Sequence, residues 1–83
     1  MDESLRSVIG NRLKTARQMY NQHGPQTQKE VAEAVGIPLT TISAMENGKS
    51  LDPKNLDMLA RYYKVSMDYI FGRACGPMWK GRD

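Results

Sequence analysis

The stretch TQKEVAEAVGIPLTTISAMENGK, residues 27–49, decides how this chain folds. Thr27 with Glu30 three residues later forms a capping-box pair, a start signal for a helix. Val31, Ala32 and Val35 then share one face. Gly36 ends that helix because it is free to adopt positive φ. Pro38 can open the next one, since its missing N–H would be unpaired there anyway. Two short helices joined through Gly36-Ile37-Pro38 are expected to pack at a steep angle. In the second, running to about Glu46, Ile42 and Met45 turn inward. The other face carries Leu39, Thr40, Ser43 and Ala44, with no Lys or Glu among them. An exposed helix face is normally charged, so this one is expected to meet something.

Working outward, Leu5, Val8, Ile9, Leu13, Ala16 and Tyr20 recur at three- and four-residue steps. That spacing predicts a helix from about Ser4 to Gln22. NQHGPQ (21–26) stops it, with Gly24 and Pro25 as breakers. Beyond the central pair, Asp52 and Pro53 cap a fourth helix with Leu56, Leu59, Ala60 and Tyr63 inside. Ser66 caps a short fifth helix, MDYIFG. The tail, residues 73–83, has no periodicity. No strand signal and no internal repeat is present. The expected fold is therefore all-α, a compact bundle of five short helices.

The bulk numbers agree with one small domain. In 83 residues, hydrophobic content is 40% and charged content 25%, suited to a folded core. Net charge is +3, a modest basic bias compatible with nucleic acid. A single cysteine, Cys75, forbids an intrachain disulfide and any Cys-based metal site; a reducing, cytoplasmic location is the simplest reading. The N-terminus MDESLRSVIG does not read as a signal peptide, and no apolar run approaches the ~20 residues of a membrane span. His23, beside Gly24 and Pro25, reads as a solvated loop residue with nothing to share a metal. The one His, the one Cys and scattered Ser form no catalytic constellation, and there is no Gly-rich phosphate loop. Neither metal, cofactor nor enzymatic activity is expected.

The uncharged face of the third helix suits the DNA major groove, which accepts an α-helix and displays thymine methyls and base edges. Leu and Ala match methyls, Thr and Ser hydroxyls can donate or accept, and no carboxylate is there to repel phosphate. The bland alternative, Leu39 as a core residue, is disfavoured because Ile37 and Ile42 already fill the inner face.

At these residues the chain resembles the Xre/Cro-like helix-turn-helix family, which includes phage repressors and many small bacterial regulators. Thr27, Gln28, Val31, Ala32, Val35, Gly36, Ile37, Thr41, Ile42, Ser43, Met45, Glu46, Asn47, Gly48 and Lys49 match its pattern. LDPKNLDMLARYYKVSMDYIFG resembles its fourth and fifth helices. The resemblance covers residues 5–72, leaving 73–83 as a tail. It implies a lambda-repressor-like fold and a sequence-specific regulator, a repressor, on a palindromic operator. By matching position, Leu39, Thr40, Ser43 and Ala44 would read bases. Arg12, Gln28, Thr41, Asn47, Lys49 and Lys54 would meet the DNA backbone. Arg17 would pair with Glu46. Met67, Ile70 and Phe71, near the fifth helix, would form the homodimer contact.

Three features depart from the family. The connection YNQHGPQ is about four residues longer than usual, Leu39 and Ala44 replace long polar readers, and the tail has no counterpart. With Leu39 and Ala44 in place, specificity would rest on thymine methyls, Thr40, Ser43 and DNA shape. The rival reading is an antitoxin that neutralises a small protein partner, docking it through the tail with Trp79, and autoregulates through DNA.

Overall fold

A computed structural model of the chain describes residues 3–74. The tail residue Trp79, with the expectation that it docks a partner, lies outside the described residues. Within the described residues the fold is all-α, with no strand. The helices are α1 (Glu3–Thr15), continued by a π-helical turn (Ala16–Tyr20), α2 (Gln28–Val35), α3 (Leu39–Glu46), α4 (Pro53–Tyr63) and α5 (Met67–Ile70).

Local chemistry sets most boundaries. Thr27 Oγ1 accepts from the Glu30 N–H while Glu30 Oε1 accepts from the Thr27 N–H, a complete capping box for α2. Gly36 follows α2 at φ 75°, in the left-handed region that glycine adopts without a Cβ clash. Pro38 lies one position earlier than expected. Its extended backbone makes it the cap of α3, and its carbonyl accepts from the Thr41 and Ile42 N–H groups. Asp52 caps α4 with Pro53 at its first position, and Ser66 caps α5. The α3 C-terminus closes as a Schellman motif: Lys49 N–H donates to Ala44 O and Gly48 N–H to Met45 O.

The first helix departs from the expected span of Ser4 to Gln22. A continuous α-helix would bring Tyr20 under Ala16 on the inner face. The π turn, with its i→i+5 spacing, shifts the register by one. Asn21 becomes the inward residue at 7% exposure, and Tyr20 is left 42% exposed. The longer connection is thus absorbed partly by helix and partly by a loop stapled to α4. Asn21 Nδ2 and Tyr62 Oη both donate to Gln26 Oε1, and Gln22 donates to the carbonyls of Tyr62 and Tyr63. His23 is stacked on Tyr62 with ring centroids 4.3 Å apart, rather than merely solvated.

The core gathers Ile9 and Leu13 from α1, Ala16 from the π turn, Val31 and Ala32 from α2, Ile42 and Met45 from α3, and Leu56, Leu59, Ala60 and Tyr63 from α4. Val35 is half-buried, and Val8 lies at the surface against Gly72. Two glycines set the α1–α3 approach. A Cβ on Gly10 would come within 2.5 Å of Glu46 O, and one on Gly48 within 2.8 Å of Arg6 O. Only residues without side chains let these backbones meet.

Candidate nucleic-acid interface

The turn between α2 and α3 is held from behind by a buried polar hub. Arg17, from the π turn, donates from Nε to Glu46 Oε2 at 2.7 Å and from Nη2 to Glu46 Oε1 at 2.9 Å. Both side chains are buried, and the two parallel bonds match the planar fork of guanidinium to carboxylate. Arg17 Nη1 also donates to Gln26 O at 2.9 Å, which ties the long loop into the same hub. The hydrogen bond to Glu46 raises the Arg17 pKa further above its ordinary value, against the opposing effect of burial. Glu46 Oε1 accepts a third bond, from Gln28 Nε2 at 2.9 Å. One carboxylate therefore joins the π turn, α2 and α3.

Tyr63, at the end of α4, is fully buried nearby. Its hydroxyl has no hydrogen-bond partner among the described residues. Burial raises its pKa, and the Glu46 charge raises it further.

The front of α3 is different. Leu39 is 44% exposed, Thr40 is exposed, and Ser43 and Ala44 are half-buried. Ile42 and Met45, on the back, are fully buried. A half-exposed leucine followed by a hydroxyl, on a helix with no charged residue before Glu46, is left uncovered by the described residues.

Comparison with known proteins agrees with this geometry. Residues 27–70 match the family described as Helix-turn-helix, a span beginning at the α2 cap and ending with α5. The chain belongs to the Xre/Cro-like helix-turn-helix family. No curated protein and no solved structure gives a match. Membership makes the chain a DNA-binding regulator in general terms, in a family that is typically non-enzymatic. No helix among the described residues is long and apolar enough to cross a membrane, and no group there could hold a metal ion.

Within this helix-turn-helix unit, Gln28 stands at the first turn of α2. The hydrogen bond that its side-chain amide donates to Glu46 fixes its direction and leaves its second N–H and its Oε1 uncommitted. Thr41 is half-buried; Asn47, Lys49 and Lys54 are exposed around the turn that links α3 to α4.

Two expectations are corrected. Arg12 is not free to meet a phosphate. Its Nη1 donates to Tyr69 O and Ala74 O at 3.2 and 3.1 Å, and its guanidinium lies 4.5 Å over the Tyr69 ring. It satisfies one carbonyl in the last turn of α5 and one just past it, where a cation is favoured. Ile70 is not a surface residue for a partner chain: it is 0% exposed, because α5 turns it under the core. Met67 and Phe71 are half-buried on the same short helix region.

The structure also groups residues that the sequence pattern did not. The first turn of α1 and the α3–α4 turn enclose an open cleft of about 620 Å³, lined by Glu3, Arg6, Ser7, Asn47, Gly48 and Lys49. The signal for it was indirect. Gly48 could be read as a helix stop, but its close approach to Arg6 is a tertiary fact.

Proposed function

We propose that the chain is a sequence-specific transcriptional regulator, a repressor that binds a palindromic operator as two copies. The observation that carries this is the front of α3: an exposed Leu39 and Thr40 with half-exposed Ser43 and Ala44, uncharged, on a helix gripped from behind. Such a surface fits a major groove, where leucine and alanine meet thymine methyls and the hydroxyls meet base edges. Gln28, Thr41, Asn47, Lys49 and Lys54 contact the backbone around it and set the register of the helix in the groove.

One eight-residue helix spans too few base pairs to single out a site in a genome. A two-fold pair of helices, about 34–36 Å apart, meets this need. With Ile70 committed to the core, Met67 on α5 and Phe71 at its C-cap are the remaining apolar groups there for a partner copy.

Selection of bound sites from random duplex DNA tests this reading. The expected result is an enriched inverted repeat with half-site centres about one helical turn apart. Sedimentation should give two chains per duplex. No enrichment over random sequence would overturn it.

A further inference from the structure

We infer that the cleft between the first turn of α1 and the α3–α4 turn takes a DNA backbone phosphate, with Arg6 as its contact from α1. The inference rests on the DNA-binding reading above and deepens it. Among the described residues the cleft holds two cations, Arg6 and Lys49, and one carboxylate, Glu3. Among the described residues neither cation has an ion-pair partner. Ser7 and Asn47 add neutral donors on either wall. This donor set suits a monoanionic phosphodiester better than a cation or an apolar group.

The walls are held in register. Gly48 is at φ 74°, and a Cβ there would fall within 2.8 Å of Arg6 O. The backbone carrying Asn47 and Lys49 is therefore pressed against the turn carrying Arg6.

The position also fits. From Leu39 to Glu46, α3 rises about 10 Å. The major groove is about 12 Å wide. A helix that enters it by its N-terminal residues brings its far end to the groove edge, where phosphates lie. The cleft opens at that far end.

The test uses the full chain, a duplex carrying its selected site and a scrambled duplex. Arg6→Gln should weaken binding to both by roughly fivefold near 0.15 M salt and lower the salt slope by about one unit. Arg6→Lys should keep most of the affinity. Glu3→Gln, which removes the opposing charge, should tighten both complexes. Circular dichroism of each variant controls for folding; Arg6 and Glu3 are both exposed.

If the parent binds duplex DNA and Arg6→Gln keeps its affinity and slope, the cleft assignment falls while the DNA-binding reading stands. A loss confined to the selected duplex would make Arg6 a base reader and also overturn it. If the parent binds no duplex at all, both fall. Inorganic phosphate alone, followed at the amides of Asn47 and Lys49 by NMR, covers the other source of this chemistry. Saturation there, with duplex binding indifferent to Arg6, would give the cleft to a free anion.

Discussion

The two faces of α3 differ in almost every physical respect. Behind it, Ile42 and Met45 are fully buried and Glu46 accepts three hydrogen bonds from Arg17 and Gln28. In front, Leu39 and Thr40 are exposed and bond to no other side chain among the described residues. The difference separates two kinds of substitution. Changes behind α3 should act on stability, and changes in front should act on what the helix binds.

The largest effect is expected at the hub. Glu46→Ala leaves Arg17 buried without its counter-charge, a loss of roughly 3–5 kcal/mol. In a domain of this size each kcal/mol moves the melting temperature by about 4–8 °C. Thermal melting should therefore fall by more than about ten degrees, while Glu33→Ala, at an exposed position of α2, should melt like the parent. Equal melting of the two would break the contrast between the faces.

Next is the close approach that seats α3 against α1. Gly48→Ala puts a Cβ at positive φ and into the Arg6 carbonyl, at a cost of about 1–3 kcal/mol. Chemical denaturation should show a lower midpoint with unchanged slope. A midpoint equal to the parent's would mean that the α3–α4 turn is free to move.

Lys54 lies outside the hub, exposed at the start of α4. Lys54→Ala should weaken selected and scrambled duplexes about equally and lower the salt slope by about one unit. A loss on the selected duplex alone would transfer it to base reading.

The smallest effect is expected at Tyr63. Its hydroxyl is buried without a partner, so Tyr63→Phe should be neutral or slightly stabilising. The pH dependence sharpens this. Burial raises the folded-state pKa of Tyr63 above the unfolded value of about 10. Stability is then unaffected below pH 10 and declines as pH rises above it, because only the unfolded phenol ionises freely. In Tyr63→Phe that alkaline decline should be shallower. An identical decline in both proteins would show that Tyr63 is not the titrating group.

These contrasts follow how much of the molecule could be read locally. Capping chemistry was legible: Thr27 with Glu30, Gly36, Asp52 with Pro53, and Ser66 each act through neighbours within a few residues. The uncharged front of α3 was legible for the same reason, since periodicity alone separates Leu39 from Ile42. Tertiary competition was not. Arg12 and Arg17 are five residues apart and chemically alike, yet one meets Glu46 and the other the carbonyls of Tyr69 and Ala74. The π turn reversed the roles of Tyr20 and Asn21 because a one-residue register shift leaves no mark in hydrophobic spacing. Ile70 looked surplus on a four-residue helix, and only the packing of α5 under α1 and α4 shows that the core needs it.

The most direct test compares the sites selected from random duplex DNA by the parent and by Leu39→Gln, with thermal melting of both proteins. Leu39 is exposed, so the variant should melt within about 0.5 kcal/mol of the parent. It should keep non-specific binding and change the preferred base at one or two positions in each half-site, by about 1–3 kcal/mol there. An identical selected site in parent and variant, with both folded, would contradict the claim that the front of α3 reads DNA.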